Sequence, residues 1–125
     1  MISGANRGLG NAIARRLHND GYNVSVGGRD LDALRHSMDG CDDDRVLCQR
    51  YDATQPGTDA EWLKATIERF GSLSGLVNNA GIIDTAGLEA LTEDGLDALW
   101  AVNVKAPFRM IQLALPHLRT DGSGR

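Results

Sequence analysis

The segment Ser3–Gly10 carries three glycines, at positions 4, 8 and 10, close to the start of the chain. Apolar residues recur at helical spacing from position 9 onward, so the glycines stand at the opening of a predicted helix. Such a turn lets a pyrophosphate approach the backbone, and the free N–H groups and dipole of the helix hold its charge. Glycine is frequent in this sequence, so an ordinary glycine-rich turn is the alternative to a phosphate site.

Further polar residues follow this turn in a regular order. Arg29 and Asp52 each follow a short predicted strand, the run Asn78–Gly81 follows another, and Asn103 lies in a helical region. Each also has a structural interpretation, because aspartate and asparagine commonly cap turns and satisfy loose backbone groups after strands. The alternative for Arg29 and Asn103 is that they are surface residues.

Taken together, this order and spacing resembles the first half of a short-chain dehydrogenase/reductase, over essentially the whole sequence. The resemblance implies an α/β fold with a Rossmann-type doubly wound parallel sheet, incomplete here, with about four strands and a truncated first strand. Residues 1–125 would form a single, partial NAD(P)-binding domain. The cofactor-binding residues that it implies are Ser3, Gly4, Asn6, Arg7, Gly8, Leu9, Gly10, Arg29, Asp52, Ala53, Asn79, Ala80 and Gly81.

The resemblance also assigns individual roles. Asp52 would accept a hydrogen bond from the adenine amino group, Asn78 would be mainly structural, and Ala80 and Gly81 would face the cofactor. Asn103 would be the first member of an Asn-Ser-Tyr-Lys catalytic set, in which it bends its helix and positions a proton-relay water. The parent enzyme would transfer a hydride between the cofactor and a small carbonyl or alcohol substrate.

Two arginines indicate that NADP(H) is preferred over NAD(H). A fold of this type that prefers NAD usually places an acid at the end of the second strand, where it binds the ribose 2′-OH. Here that position is Gly28, followed by Arg29, and Arg7 is a second cation. A guanidinium can pair with a 2′-phosphate in bidentate fashion, whereas Asp30 slightly weakens this interpretation.

The tyrosine and lysine of the catalytic set are not found in this sequence. Its two tyrosines, Tyr22 and Tyr51, are followed four residues later by valine and glutamine rather than lysine. Ser123 falls in a terminal turn and is not expected to be the catalytic serine. We therefore expect the 125-residue chain to be inactive by itself, as the cofactor-binding part of a longer enzyme. A non-catalytic nucleotide-binding or sensor module, and a poorly folded remnant, are the alternatives.

The elements that position these residues alternate between strand and helix. Hydrophobic spacing predicts strands over 24–26, 46–48 and 73–77, after a first strand reduced to Met1-Ile2. It predicts helices over 8–19, 31–38 and 59–70, a helix capped by Thr92, and a last helix with Pro107 in its first turn. Alternating strands and helices imply right-handed crossovers and a parallel sheet.

Composition restricts the partners and the compartment. The net charge of −4 argues against nucleic acid or an anionic membrane surface, and no apolar run is long enough to cross a membrane. Cys41 and Cys48 form no disulfide framework, which fits the cytoplasm. The histidines and the acidic run 42–44 suggest no metal site. Trp62 and Trp100 are expected in a core or an interface, and the resemblance implies a homo-oligomer formed through the helices around Asn103.

Overall fold

A computed structural model describes residues 1–120, 122, 124 and 125. Strands and helices alternate: β1 (Ile2–Ser3), α1 (Gly8–Asn19), β2 (Val24–Gly28), α2 (Leu31–Ser37), β3 (Val46–Arg50), α3 (Thr58–Phe70), α4 (Glu93–Trp100) and α5 (Ala106–Leu118). A 3₁₀ turn, Asp43–Arg45, precedes β3, and a π-helical turn, Ala101–Lys105, connects α4 to α5. Ser123, which we predicted not to be the catalytic serine, lies outside the described residues, as does Asp121.

The three strands form a parallel sheet in the order β1-β2-β3. β2 pairs with β3 along its full length, whereas β1 contributes only two pairs, Ile2 with Val26 and Ser3 with Gly27. The predicted parallel α/β architecture and the short first strand are therefore confirmed. In the described part of the chain, no helix is both long enough and apolar enough to span a membrane.

The prediction of a strand over Leu73–Val77 is wrong. Within this segment only Val77 forms a β-bridge to the sheet, an isolated parallel bridge to Ile2, while the Gly75 carbonyl accepts a hydrogen bond from the Met1 amino group at 2.8 Å. The Ser3 N–H donates to the Val77 carbonyl at 3.0 Å, and the Val77 N–H donates to the Met1 carbonyl at 2.8 Å. Because β1 offers so few residues for pairing, an adjacent segment cannot build a ladder on it, even with an apolar, strand-like sequence.

The helix predictions hold closely. α1 spans the predicted residues, α3 begins one residue earlier than predicted, and α2 ends one residue earlier. The Thr92 hydroxyl accepts a hydrogen bond from the Gly95 N–H at 3.1 Å, which confirms it as the N-cap of α4. Pro107 lies in the first turn of α5, and Pro116 lies two residues before its end.

Apolar residues are buried on both faces of the sheet. Val24 and Val26 of β2 belong to a core with Ala14 of α1 and Leu34 of α2. A second core, on the opposite face, contains Trp62 of α3 together with these residues of the other elements: Tyr51, Val102, Ala106, Met110 and Ala114. Helices therefore cover both sides of the sheet, as in a doubly wound fold.

Trp62 is the largest fully buried side chain and is confirmed as a core residue. Its indole N–H donates to the Ser25 hydroxyl at 2.8 Å, and Ser25 is hydrogen-bonded to the Thr66 hydroxyl at 2.7 Å. The ring lies against Gly27 of β2, so close that a side chain at Gly27 would overlap it. Trp100, in contrast, is 54% exposed and is not a core residue.

Gly27→Ala should therefore destabilise the fold by about 1–3 kcal/mol, because a Cβ at that position would meet three Trp62 ring atoms at 2.8–2.9 Å. Urea unfolding followed by Trp fluorescence measures the change. The matched control is Gly28→Ala in the same strand, where the nearest atom would be a Leu34 methyl at 3.6 Å. That variant should unfold like the wild type or slightly later. Equal destabilisation by both variants would contradict this account of the Trp62 contact.

Candidate functional site

A cleft of about 380 Å³ opens at the carboxyl ends of the parallel strands. Most of the lining follows a strand or the paired residue Val77, and Val102 comes from the π-helical turn. The lining residues are Gly4, Asn6, Arg7, Gly8, Gly28, Arg29, Asp30, Tyr51, Asp52, Ala53, Thr54, Asn79, Ala80, Gly81, Ile82 and Val102. Ligands of open α/β sheets bind at this edge, and the volume lies within the usual range of small-molecule sites.

The amino end of α1 forms the floor of this cleft. Arg7 occupies the N-cap position, and among the described residues no side chain caps the helix. The first turn also carries no acidic residue. The free N–H groups and the dipole of α1 are thus available to an anion, and Arg7 adds a positive charge beside them.

A set of hydrogen bonds joins the end of β1 to the chain after Val77. The Ser3 hydroxyl accepts hydrogen bonds from the Asn79 N–H at 3.0 Å and from the Ala80 N–H at 2.9 Å. The Asn79 side-chain amide donates in return to the carbonyls of Ser3, at 2.9 Å, and Gly4, at 3.1 Å. We call these contacts the Ser3–Asn79 clasp. The structural role that we predicted for Asn78 belongs to Asn79, because the Asn78 side chain is exposed and the Asn79 side chain points to β1.

Gly10 packs directly against the residues of the Ser3–Asn79 clasp. A Cβ at Gly10 would lie 2.5 Å from the Gly4 carbonyl oxygen and would also overlap the Asn79 side-chain amide. Only a residue without a side chain lets the first turn of α1 approach these groups. Gly4 is similarly restricted, since its φ is +66° and a Cβ there would be 3.0 Å from the Ala80 Cα.

Ten of the thirteen predicted cofactor-binding residues line the cleft. The other three do not. Ser3 is buried in the clasp, Gly10 packs α1 against it, and the Leu9 side chain is 70% exposed. Ser3 and Gly10 nevertheless matter for the site, since their contacts determine the position of the glycine turn, which does line the cleft.

Asp52 lies on the wall that follows β3. The Thr54 hydroxyl and N–H both donate to its Oδ1, at 2.7 and 2.9 Å. Burial raises the pKa of the Asp52 carboxyl, but these hydrogen bonds and the charges of Arg29 and Arg50 outweigh burial and hold the pKa below its usual value. Asp52 is therefore ionised at neutral pH and can only accept hydrogen bonds.

Positive charge gathers where β2 ends. Arg29 and Arg7 are exposed and both line the cleft. The carboxylate of Asp30 also lies here, but its Oδ1 accepts the Ala33 N–H at 3.0 Å and so caps α2. Gly28 has no side chain, so no carboxylate stands at this position beside the guanidinium of Arg29.

Asn103 lies outside the cleft lining, in the π-helical turn between α4 and α5. Its Nδ2 donates to the Ile82 carbonyl at 2.8 Å, and its Oδ1 accepts the Ile82 N–H at 2.9 Å. Ile82 itself lines the cleft. The geometry thus gives Asn103 a positioning contact on the wall after Gly81, in a helical irregularity of the kind often found at functional sites.

Six lining residues were not among the predicted ones: Gly28, Asp30, Tyr51, Thr54, Ile82 and Val102. Five of them directly adjoin a predicted cofactor-binding residue, and Val102 directly precedes Asn103. Their positions in the sequence therefore indicated that they would line the cleft, because the residues that follow parallel strands meet at one edge of the sheet. Residue type gave no such signal for the apolar members.

The described residues also form a second cleft, of about 280 Å³, at the opposite edge of the sheet. Its walls include Gly21, Tyr22, Phe70 and Ser72. It lies away from the amino end of α1 and from the arginines, so the cleft at the carboxyl ends is the better candidate for a charged ligand.

Comparison with known proteins decides the family. The family model described as short chain dehydrogenase matches residues 1–125. The chain belongs to this family. Its members are oxidoreductases that bind a nicotinamide dinucleotide and a small-molecule substrate.

Two curated relatives illustrate the similarity in sequence. An agropine synthesis reductase of Rhizobium rhizogenes is 41% identical over the whole chain, which spans 29% of that protein. A D-beta-hydroxybutyrate dehydrogenase of Rhizobium meliloti is 31% identical, again over the whole chain, which spans 50% of that protein. The chain thus spans half or less of the length of these relatives.

Solved structures show the same fold. A short-chain dehydrogenase from Streptomyces avermitilis superposes with a TM-score of 0.91 at 31% identity, covering 98% of this chain and 46% of that one. An alcohol dehydrogenase from Thermococcus sibiricus, solved in complex with 5-hydroxy-NADP, gives 0.84 at 33% identity, covering 94% of this chain and 51% of that one.

Proposed function

We propose that this chain is the NADP(H)-binding part of an oxidoreductase that transfers a hydride between NADP(H) and a carbonyl or alcohol substrate, with residues 1–125 acting as one partial domain. The observation that carries the proposal is the end of β2, where the position that an NAD-preferring fold gives to an acid is Gly28 and the next residue is Arg29. The neighbour solved with 5-hydroxy-NADP supports the same cofactor class.

The residues around the cleft fit this cofactor. The free amides of α1 would bind the pyrophosphate, and Gly4 and Gly8 leave it room. The ionised Asp52 would accept a hydrogen bond from the adenine amino group, while Arg7 and Arg29 would pair with the 2′-phosphate. Ala80 and Gly81 would border the nicotinamide ribose, and the bound cofactor supplies the hydride.

Replacing Arg29 by aspartate should weaken NADPH binding by about 10- to 150-fold, the cost of a lost charge-assisted contact. Affinity for NADH should change little, because NADH has no 2′-phosphate. Fluorescence titration of both cofactors measures the ratio of their affinities. Lys64→Asp is the matched control, since Lys64 is exposed on α3 and this substitution makes the same change of charge outside the cleft.

A second variant in the same titration tests the reverse change. Gly28→Asp should move the preference toward NADH, because the carboxylate would accept from the 2′-OH and repel a 2′-phosphate. The position can hold a side chain, since its Cβ would meet only Leu34 methyls at 3.6 and 3.9 Å. Equal wild-type affinities for NADPH and NADH would overturn the proposed preference.

We expect no turnover from the 125-residue polypeptide alone. Carbonyl reduction needs a proton donor within about 3 Å of the developing alkoxide. Tyr51 is the tyrosine at the cleft, but burial raises the pKa of its phenol, an effect that nearby Arg109 opposes, and the net shift is upward. An acid–base tyrosine needs the opposite shift. Asn103 would serve the longer enzyme as a positioning residue through Ile82.

The measurement is NADPH oxidation at 340 nm with a panel of ketones, aldehydes and quinones. The sample is first shown by titration to bind NADPH, so that a negative result does not reflect unfolded protein. The rate should equal the rate without protein. A rate proportional to polypeptide concentration would contradict the proposed division between binding and catalysis.

We propose, further, that two copies associate through the surface of α4 and α5. Five apolar side chains recur there every three or four residues and are each 41–58% exposed: Leu96, Trp100, Val104, Phe108 and Ile111. A row of this kind along one helical surface suits an identical row on a second copy.

The free, half-buried thiols of Cys41 and Cys48 suit the reducing cytoplasm, where we place the protein.

Phe108→Lys should shift this equilibrium toward the monomer, because a charge would have to be buried in the interface. Sedimentation velocity over a concentration series measures the association. Tyr22→Lys is the control: Tyr22 is 55% exposed but lies between α1 and β2, outside α4 and α5. A wild-type chain that stays monomeric throughout the series would refute the interface.

A further inference from the structure

Arg109 of α5 reaches from the helix to the loop that follows β3. Its Nε donates to Asp59 Oδ2 at 3.0 Å, and one of its terminal nitrogens donates to the Ala53 carbonyl at 2.8 Å. The ion pair is largely buried, with 27% of the Arg109 side chain and 5% of the Asp59 side chain exposed. A planar guanidinium can hold two acceptors in a fixed geometry in this way.

The two acceptors lie at opposite ends of the loop. Ala53 follows Asp52, and both line the cleft. Asp59 stands in the first turn of α3, where its Oδ1 also accepts the N–H groups of Gly57, at 3.0 Å, and Ala60, at 2.9 Å. Arg109 therefore contacts the loop at both of its ends and fixes the distance between the loop and α5.

Among the described residues, the remaining hydrogen bonds of this loop are local, and the Ala53 side chain is packed in the core around Trp62. Thr54 bonds to Asp52, and the Thr58 hydroxyl bonds to the backbone of Asp52 and Gln55. Such bonds determine the shape of the loop but not its position relative to the rest of the cleft. Arg109 adds hydrogen bonds to this loop from α5, which lies about fifty residues further along the chain.

We propose that Arg109 is a positioning residue that holds the Asp52–Ala53 wall of the cleft in place for the adenine end of the bound nucleotide. The inference rests on the proposed function, because it assumes that this wall binds adenine. Arg109 does not line the cleft and would hold this wall through Ala53 and Asp59. Its side chain is thus a determinant of nucleotide affinity that makes no contact with the nucleotide.

The test compares Arg109→Leu with Arg45→Leu. Arg45 makes the same kinds of contact: it is 32% exposed, donates to a carboxylate, Asp42, at 3.2 Å and to a backbone carbonyl, that of His18, at 2.9 Å, and lies outside the cleft, although Asp42 is 53% exposed and Asp59 only 5%. Both variants lose an ion pair and a backbone contact. A purely structural role for Arg109 would therefore give the two variants similar affinities.

Calorimetric titration with adenosine 2′,5′-bisphosphate isolates the adenine half of the cofactor. Arg109→Leu should bind about 10-fold more weakly than the wild type, Arg45→Leu should bind like the wild type, and Arg109→Lys should recover part of the loss. Asp59→Asn combined with Arg109→Leu should cost less than the sum of the two single changes. Wild-type affinity in Arg109→Leu would overturn the inference.

Hydrogen exchange separates this inference from the proposed function. Amides of the loop between Asp52 and Asp59 should exchange faster in Arg109→Leu than in Arg45→Leu, with or without nucleotide. A wild type that binds no bisphosphate would refute the proposed function, and the exchange data would still test whether Arg109 holds the loop. Unchanged loop exchange in Arg109→Leu would refute the positioning role itself.

Discussion

The whole site depends on the hydroxyl of Ser3. It accepts hydrogen bonds from two backbone N–H groups, those of Asn79 at 3.0 Å and Ala80 at 2.9 Å. Both residues lie more than seventy residues away in the chain. The side-chain amide of Asn79 closes the contact by donating to the Ser3 and Gly4 carbonyls. Because Gly4 begins the glycine turn and Ala80 begins the opposite wall, this clasp determines the width of the cleft.

The clasp matters because regular pairing is scarce at the same place. β1 pairs through two residues on the β2 side and through an isolated bridge to Val77 on the other. A strand that short is a weak scaffold, so side-chain hydrogen bonds supply contacts that a longer ladder would give. The close approach of Gly10 completes the arrangement, since any side chain there would push α1 away from Gly4 and Asn79.

Local features of the structure were predictable from the sequence. The bounds of α1 follow from the glycine turn before it and Gly21 after it, and the N-cap of α4 follows from Thr92 ahead of an acidic first turn. Most of the cleft lining was predictable too, because residues that follow parallel strands meet at one edge. These features depend on residues close together in the chain.

Features that depend on distant residues were not predictable. The apolar run before Val77 has a strand-like sequence, but its partner β1 is too short to pair with it. Likewise, nothing in the sequence near Arg109 shows that its partners are 50 and 56 residues away. Asn78 and Asn79 are chemically identical, and only the direction of the chain at the clasp distinguishes their roles.

The most direct test of the account is to observe where NADPH binds, by following the backbone amide resonances of the ¹⁵N-labelled protein during a titration. The resonances of Gly4, Gly8, Asp52 and Gly81, around the cleft at the carboxyl ends of the strands, should shift. The resonance of Ser72, in the second cleft, should stay unchanged. Shifts confined to the second cleft, or none at saturating NADPH, would contradict the account.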